Sequence, residues 1–167
     1  HPAVVEGRPL FLKSANEHKR HKAHILVSGH NSRKIGKRVS KGNLAGFPIY
    51  TLTLEERRTC PRSCTMWNGC YGNRSPWSLR WPAGPDTEQR IERELAELQF
   101  QHPGGFLVRL HVLGDFYSVA YVDLWSTWLD KFPALHCYGY TARSCEIGQA
   151  IAAIAKRQWR RFAIRSS

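Results

Sequence analysis

Phe106-Leu107-Val108-Arg109-Leu110-His111-Val112-Leu113-Gly114-Asp115-Phe116 decides the fold class. From Phe106 to Leu113 only Arg109 and His111 interrupt an apolar run, which is the pattern of a mostly buried strand, and Gly114-Asp115 ends it. Working toward the N-terminus, Asp86 is a natural N-cap with Gln89 three positions on, and Ile91, Leu95 and Leu98 share one helical face. That helix stops at His102-Pro103-Gly104-Gly105. Before it, Phe47 to Leu54 is β-branched, aromatic and partly alternating, and reads as a strand. Toward the C-terminus, a helix from Val119 to Lys131 carries Val122, Trp125 and Leu129 on one side until Phe132-Pro133 breaks it. A strand over Leu135 to Tyr140 follows. Then comes a helix capped by Ser144 with Ile147, Ile151 and Ile154 on one face, and a last strand over Arg161 to Arg165.

Strands alternating with crossover-length helices predict an α/β fold with a parallel sheet and right-handed connections. Spacing alone does not separate an open sheet from part of a barrel. In either arrangement functional groups gather where the strands end. Those ends carry a cysteine-rich loop, Gly114-Asp115, Thr141-Ala142-Arg143 and Ser166-Ser167.

The chain has 167 residues and a formal charge of +12, from 25 Lys and Arg against 13 Asp and Glu. An excess of this size favours an anionic partner, with nucleic acid foremost. At 42% apolar and 11% aromatic, the composition supports one folded domain and argues against disorder throughout. No run approaches the roughly 18 apolar residues of a membrane span, and no secretory pattern opens the chain, so a soluble cytoplasmic protein is expected. Residues 1–46 read as a basic, irregular N-terminal arm. Its densest block, Arg33-Lys34-Ile35-Gly36-Lys37-Arg38, makes Arg33, Lys34, Lys37 and Arg38 the candidate phosphate contacts. Residues 47–167 then form the β/α domain. Because the chain starts at His1 and stops just after a strand-like run, this domain is expected to be cut short at its C-terminal end.

Three of the five cysteines fall in Cys60-Pro61-Arg62-Ser63-Cys64-Thr65-Met66-Trp67-Asn68-Gly69-Cys70, a C-x3-C-x5-C pattern. Bunching on one loop favours a metal centre over a disulfide framework. Thiolates suit an iron–sulfur cluster or zinc. The spacings differ from the paired knuckles usual in structural zinc sites, so a 4Fe-4S cluster with one iron open is the first reading and zinc the second. Of the remaining cysteines, Cys137 reads as buried and inert. Cys145 opens a helix, where a thiolate is stabilised, and is the reserve ligand.

Asn31 to Gly36, Thr59 to Cys64, Asn68 to Gly72 and Gly114-Asp115 together resemble the phage gene product 88 family, whose members are similar to radical S-adenosylmethionine enzymes. The likeness covers most of residues 31–145. It implies a partial radical-SAM-like (β/α) barrel with a 4Fe-4S cluster on Cys60, Cys64 and Cys70, and a place in a bacterial host or phage-infected cell. By the same resemblance Gly114 and Asp115 would meet the methionine amino group of S-adenosylmethionine, and Thr141, Arg143 and Ser166 its carboxylate or ribose. The radical enzymes use a C-x3-C-x2-C loop, so the second spacing here is longer than theirs.

Plainer roles exist for several of these residues. Asp115 is equally placed to cap the following helix, and His111 to be a satisfied core histidine. Trp67, Trp77 and Trp81 read as shielding and packing around the loop. Three functions are therefore in competition: a radical-type iron–sulfur protein, a nucleic-acid-binding module stapled by zinc, and electron transfer without catalysis.

Overall fold

A computed structural model describes residues 1–11 and 22–167. Part of the expected basic arm, residues 12–21, lies outside the described residues. The elements in order are α1 (Pro2–Glu6), β1 (Val27–Ser28), β2 (Ile49–Thr51), α2 (Pro85–Gln101), β3 (Phe106–Leu110), α3 (Val119–Lys131), β4 (Leu135–Thr141), α4 (Cys145–Arg157) and β5 (Phe162–Ser166). The result is a mixed α/β fold with one five-stranded sheet in the order β1-β2-β3-β4-β5. β2 to β5 run parallel and β1 pairs antiparallel with β2.

The expected strands and helices form close to where the apolar pattern put them. Phe106, Val108, Leu110, Leu135, Cys137 and Phe162 face a core that also holds Ile91, Leu95, Val122, Trp125, Leu129, Ile151 and Ile154 from the three long helices. Alternate strand residues thus point into the helical layer. Their neighbours on the opposite face, including Arg109, Tyr138, Tyr140, Ala163 and Arg165, are exposed or half-buried. Among the described residues no strand pairing closes this sheet into a barrel.

Two expectations need correction. Residues 1–46 are not uniformly an irregular arm, because Ile25 and Leu26 are buried in the core and β1 extends the sheet. Glu94 on α2 holds that segment, accepting the Ile25 and Leu26 backbone N–H groups at 2.9 and 2.7 Å. The domain boundary expected at residue 47 therefore falls between two paired strands. The N-cap of α2 is Gly84 rather than Asp86. Pro85 takes the first helical position, where its missing N–H costs nothing, and Asp86 sits in the first turn.

Candidate functional site

Leu54 continues the β2 ladder past the strand proper, donating its N–H to Leu113 O at 2.9 Å. The chain then turns through Glu55 to Thr59 and enters the cysteine loop. The loop therefore starts at the carboxyl end of β2 and lies beside the ends of β3 and β4.

A buried network locks these ends together. The Asp115 carboxylate accepts the Thr141 hydroxyl at 2.6 Å, the Ala142 N–H at 2.8 Å and the Phe116 N–H at 2.7 Å. The Asp115 N–H donates to Thr59 Oγ1 at 3.1 Å, and that hydroxyl donates to Glu55 O at 2.8 Å. The Arg143 guanidinium donates to Thr59 O, while its Nε is buried without a partner among the described residues. Burial raises the Asp115 pKa from its ordinary value, although the three hydrogen bonds and Arg143 pull it the other way. Asp115 does not cap α3. Ser118 does so, accepting from the Tyr121 N–H at 3.1 Å.

Gly114 has φ +85, and a Cβ there would come within 2.6 Å of the Leu54 side chain and 2.7 Å of Thr59 Oγ1. Only glycine lets the end of β3 approach the start of the loop so closely. Ser166 is exposed and registers with Thr141 across β4 and β5. Four of the five residues expected from the resemblance, Gly114, Asp115, Thr141 and Arg143, thus meet around Thr59. Ser166 stands on the rim beside them. Sequence reasoning included Thr59 only as the first residue of the Thr59 to Cys64 match and gave it no role, since a lone threonine before a cysteine carries no pattern.

Cys60, Cys64 and Cys70 are half-buried free thiols. Burial pushes the Cys60 thiol up to about 12, and Asp115, Cys70 and Cys64 add to the rise. Cys70 is raised too, mainly by burial, with Glu56 and Cys64 contributing. The three therefore lie within electrostatic reach of one another. Even so, no three His, Cys, Asp or Glu side chains among the described residues are gathered closely enough to hold a metal ion. Cys145 is exposed at the start of α4 and Cys137 is buried in β4.

The far half of the loop is fastened by arginines. Arg57 donates from Nε to Trp67 O at 3.1 Å and from Nη2 to Asn73 Oδ1 at 2.6 Å. Arg80 and Glu56, both wholly buried, pair at 2.6 Å, and Arg80 Nη2 donates to Gly72 O at 3.0 Å. Trp67 and Trp81 pack as expected, but Trp77 is 92% exposed and shields nothing. His111 is buried, with Nε2 3.0 Å from the Tyr121 hydroxyl. Its Nδ1 has no partner among the described residues.

Arg33, Lys34, Lys37 and Arg38 are exposed, as a phosphate-contacting block requires. Lys34 Nζ lies 6.0 Å from the Tyr71 ring, so the block runs beside the cysteine loop. No helix among the described residues is long and apolar enough to cross a membrane.

Comparison with curated proteins and with solved structures gives no match. The gene product 88 family model does match, over residues 17–157, which is most of the chain and includes the cysteine loop and the Thr59–Asp115–Thr141 network; the chain belongs to that family.

Proposed function

We propose that the chain is an iron–sulfur protein of radical S-adenosylmethionine type, holding a 4Fe-4S cluster on Cys60, Cys64 and Cys70 at the mouth of a partial β/α barrel. The observation that carries this reading is the set of three half-buried free thiols on one loop, beside the strand ends. Soft sulfur donors suit such a cluster. The helices covering only one face of a parallel sheet also suit a partial barrel. To act as ligands the three side chains must turn toward one another, and they must lose their protons. Loading is therefore coupled to proton release.

When bound, a cluster with one iron free of cysteine supplies an electron to S-adenosylmethionine. The chain's own residues orient and enclose. Asp115 spends both oxygens fixing Thr141 and Ala142, which sets the loop between β4 and α4. Arg143 Nε is a donor left for an anionic group such as a carboxylate. All five cysteines are free, which suits the reducing cytoplasm of a bacterial or infected cell.

Anaerobic reconstitution with iron, sulfide and zinc analysis tests the proposal, with electron paramagnetic resonance before and after adding S-adenosylmethionine. About four irons and four sulfides per chain are expected, with a signal that S-adenosylmethionine perturbs. A colourless protein that retains only zinc overturns it.

That last outcome is the second reading, a zinc-stapled nucleic-acid-binding module. It is favoured by the exposed basic block lying beside the loop. Neutralising Lys34, Lys37 and Arg38 would then weaken binding and flatten its salt dependence.

A further inference from the structure

A cleft of about 500 Å³ lies between the turn at Gly29–Asn31, the carboxyl end of β2 and the segment leading out of the cysteine loop. This size suits a nucleotide-sized ligand. Asn31, Thr53, Arg74, Trp77 and Ser78 are among its lining residues.

Trp77 is 92% exposed. An indole left in water this fully gains nothing from packing, but it offers a flat π face to a planar ring. Among the described residues the Arg74 guanidinium meets no carboxylate and donates no hydrogen bond, so its charge is available to a ligand. No acidic residue lines the cleft. From Lys22 to Gly84 the only acids are Glu55 and Glu56, both buried, and none of the five strands carries one. Glu94, behind the wall, is engaged by the Ile25 N–H at 2.9 Å and stands 3.8 Å from His24 Nδ1, so Arg74 is the fixed charge the lining offers and an anion carrying a planar ring suits it.

We propose that this cleft binds one nucleotide of a single-stranded nucleic acid, its base stacked on Trp77, its phosphate at Arg74, and its polar edge toward Asn31, Thr53 and Ser78. A duplex keeps its bases inside the stack, so only an unpaired strand can present a base to an indole in this way. None of Cys60, Cys64, Cys70, Arg33, Lys34, Lys37 and Arg38 lines the cleft, although Ser32 and Ile35 on its wall flank Arg33 and Lys34. The site does not depend on which metal the loop holds.

Fluorescence anisotropy with a short labelled oligonucleotide, as RNA, as DNA and as the matching duplex, tests the proposal on both metal-free and reconstituted protein. Single strands are expected to bind more tightly than the duplex, and binding should quench tryptophan fluorescence. Trp77→Ala should weaken single-strand binding roughly tenfold, whereas Trp77→Phe should keep most of the affinity but lose the quenching. Arg74→Gln should lower the slope of log affinity against log salt by about 0.7, the loss of one phosphate contact. Being exposed, both positions can be changed without disturbing the fold.

Equal affinity for the Trp77→Ala variant overturns the proposal. So does tighter binding of the duplex, or full competition by a free nucleoside monophosphate at the oligonucleotide's own concentration. These outcomes leave the iron and sulfide analysis untouched, so failure of this site and failure of the cluster assignment are separable.

Discussion

The Thr141 hydroxyl donates to the Asp115 carboxylate at 2.6 Å, joining the ends of two adjacent parallel strands through side chains alone. Asp115→Ala strips that hydroxyl and the Ala142 and Phe116 N–H groups of their acceptor in a buried place. Unsatisfied buried donors cost about 1–3 kcal/mol each, so a total loss of about 3 kcal/mol is expected after partial relaxation. Asp115→Asn keeps one acceptor oxygen but turns an amide toward the Ala142 N–H, and should fall between. Urea titration measures both, and an Asp115→Ala variant as stable as the parent refutes the network's importance.

The parallel core was legible because Phe106 to Leu113 and Leu135 to Tyr140 are apolar runs that no exposed element would carry. β1 was hidden because two residues give no period, and because the buried Ile25 and Leu26 that lead into it are held by Glu94, far away in the sequence. At the site, the cysteine loop and the Gly114-Asp115 turn could be placed from the order of strands and helices. Thr59 and Arg80 could not. Threonine carries no signal alone, and arginine is so seldom fully buried that sequence reasoning puts it in solvent. Trp77 failed the opposite way, since a tryptophan near other tryptophans is expected to pack.

His111 gives the fold an acid-side weakness. Burial, with Arg109 nearby, lowers its pKa from 6.5 to about 3. The unfolded chain therefore takes up a proton near pH 6.5 that the folded chain refuses until about pH 3. Stability should fall as pH drops through that window, by up to about 1.4 kcal/mol per unit. His136 is also lowered by burial and adds in the same direction. His111→Gln, which can still reach the Tyr121 hydroxyl, should flatten most of this dependence in denaturation curves at pH 4 to 7. An unchanged slope would assign the effect elsewhere.

The cysteines should differ in reactivity. A thiol pushed up to about 12 is thiolate only on the order of 1 part in 10⁵ at pH 7, so Cys60 should alkylate slowly. Buried Cys137, raised further by desolvation, should react last. Exposed Cys145 should react first. After loading with iron and sulfide, peptide mapping should find Cys60, Cys64 and Cys70 protected and Cys145 still labelled. Protection of Cys145 instead would make it the fourth ligand and would remove the open iron from the proposed function.

Gly72 is where the cysteine loop meets the buried ion pair. A Cβ at this position would lie 2.1 Å from Glu56 Oε1 and 2.5 Å from its carboxyl carbon. Neither atom can retreat freely, because Glu56 Oε2 is held by Arg80 Nε and the guanidinium is held in turn by Gly72 O. Gly72→Ala must therefore move the turn that follows Cys70 or break the pair. Breaking a buried pair costs about 3–5 kcal/mol, and the chain should yield the turn first because Tyr71 and Arg74 in it are exposed and only the Asn73 side chain is fastened, by Arg57. The expected variant keeps the core and its cooperative unfolding but binds less iron and sulfide per chain, with Cys70 alkylating faster than in the parent. Normal iron content together with normal Cys70 reactivity would mean that the loop does not need this close approach to hold its third thiol.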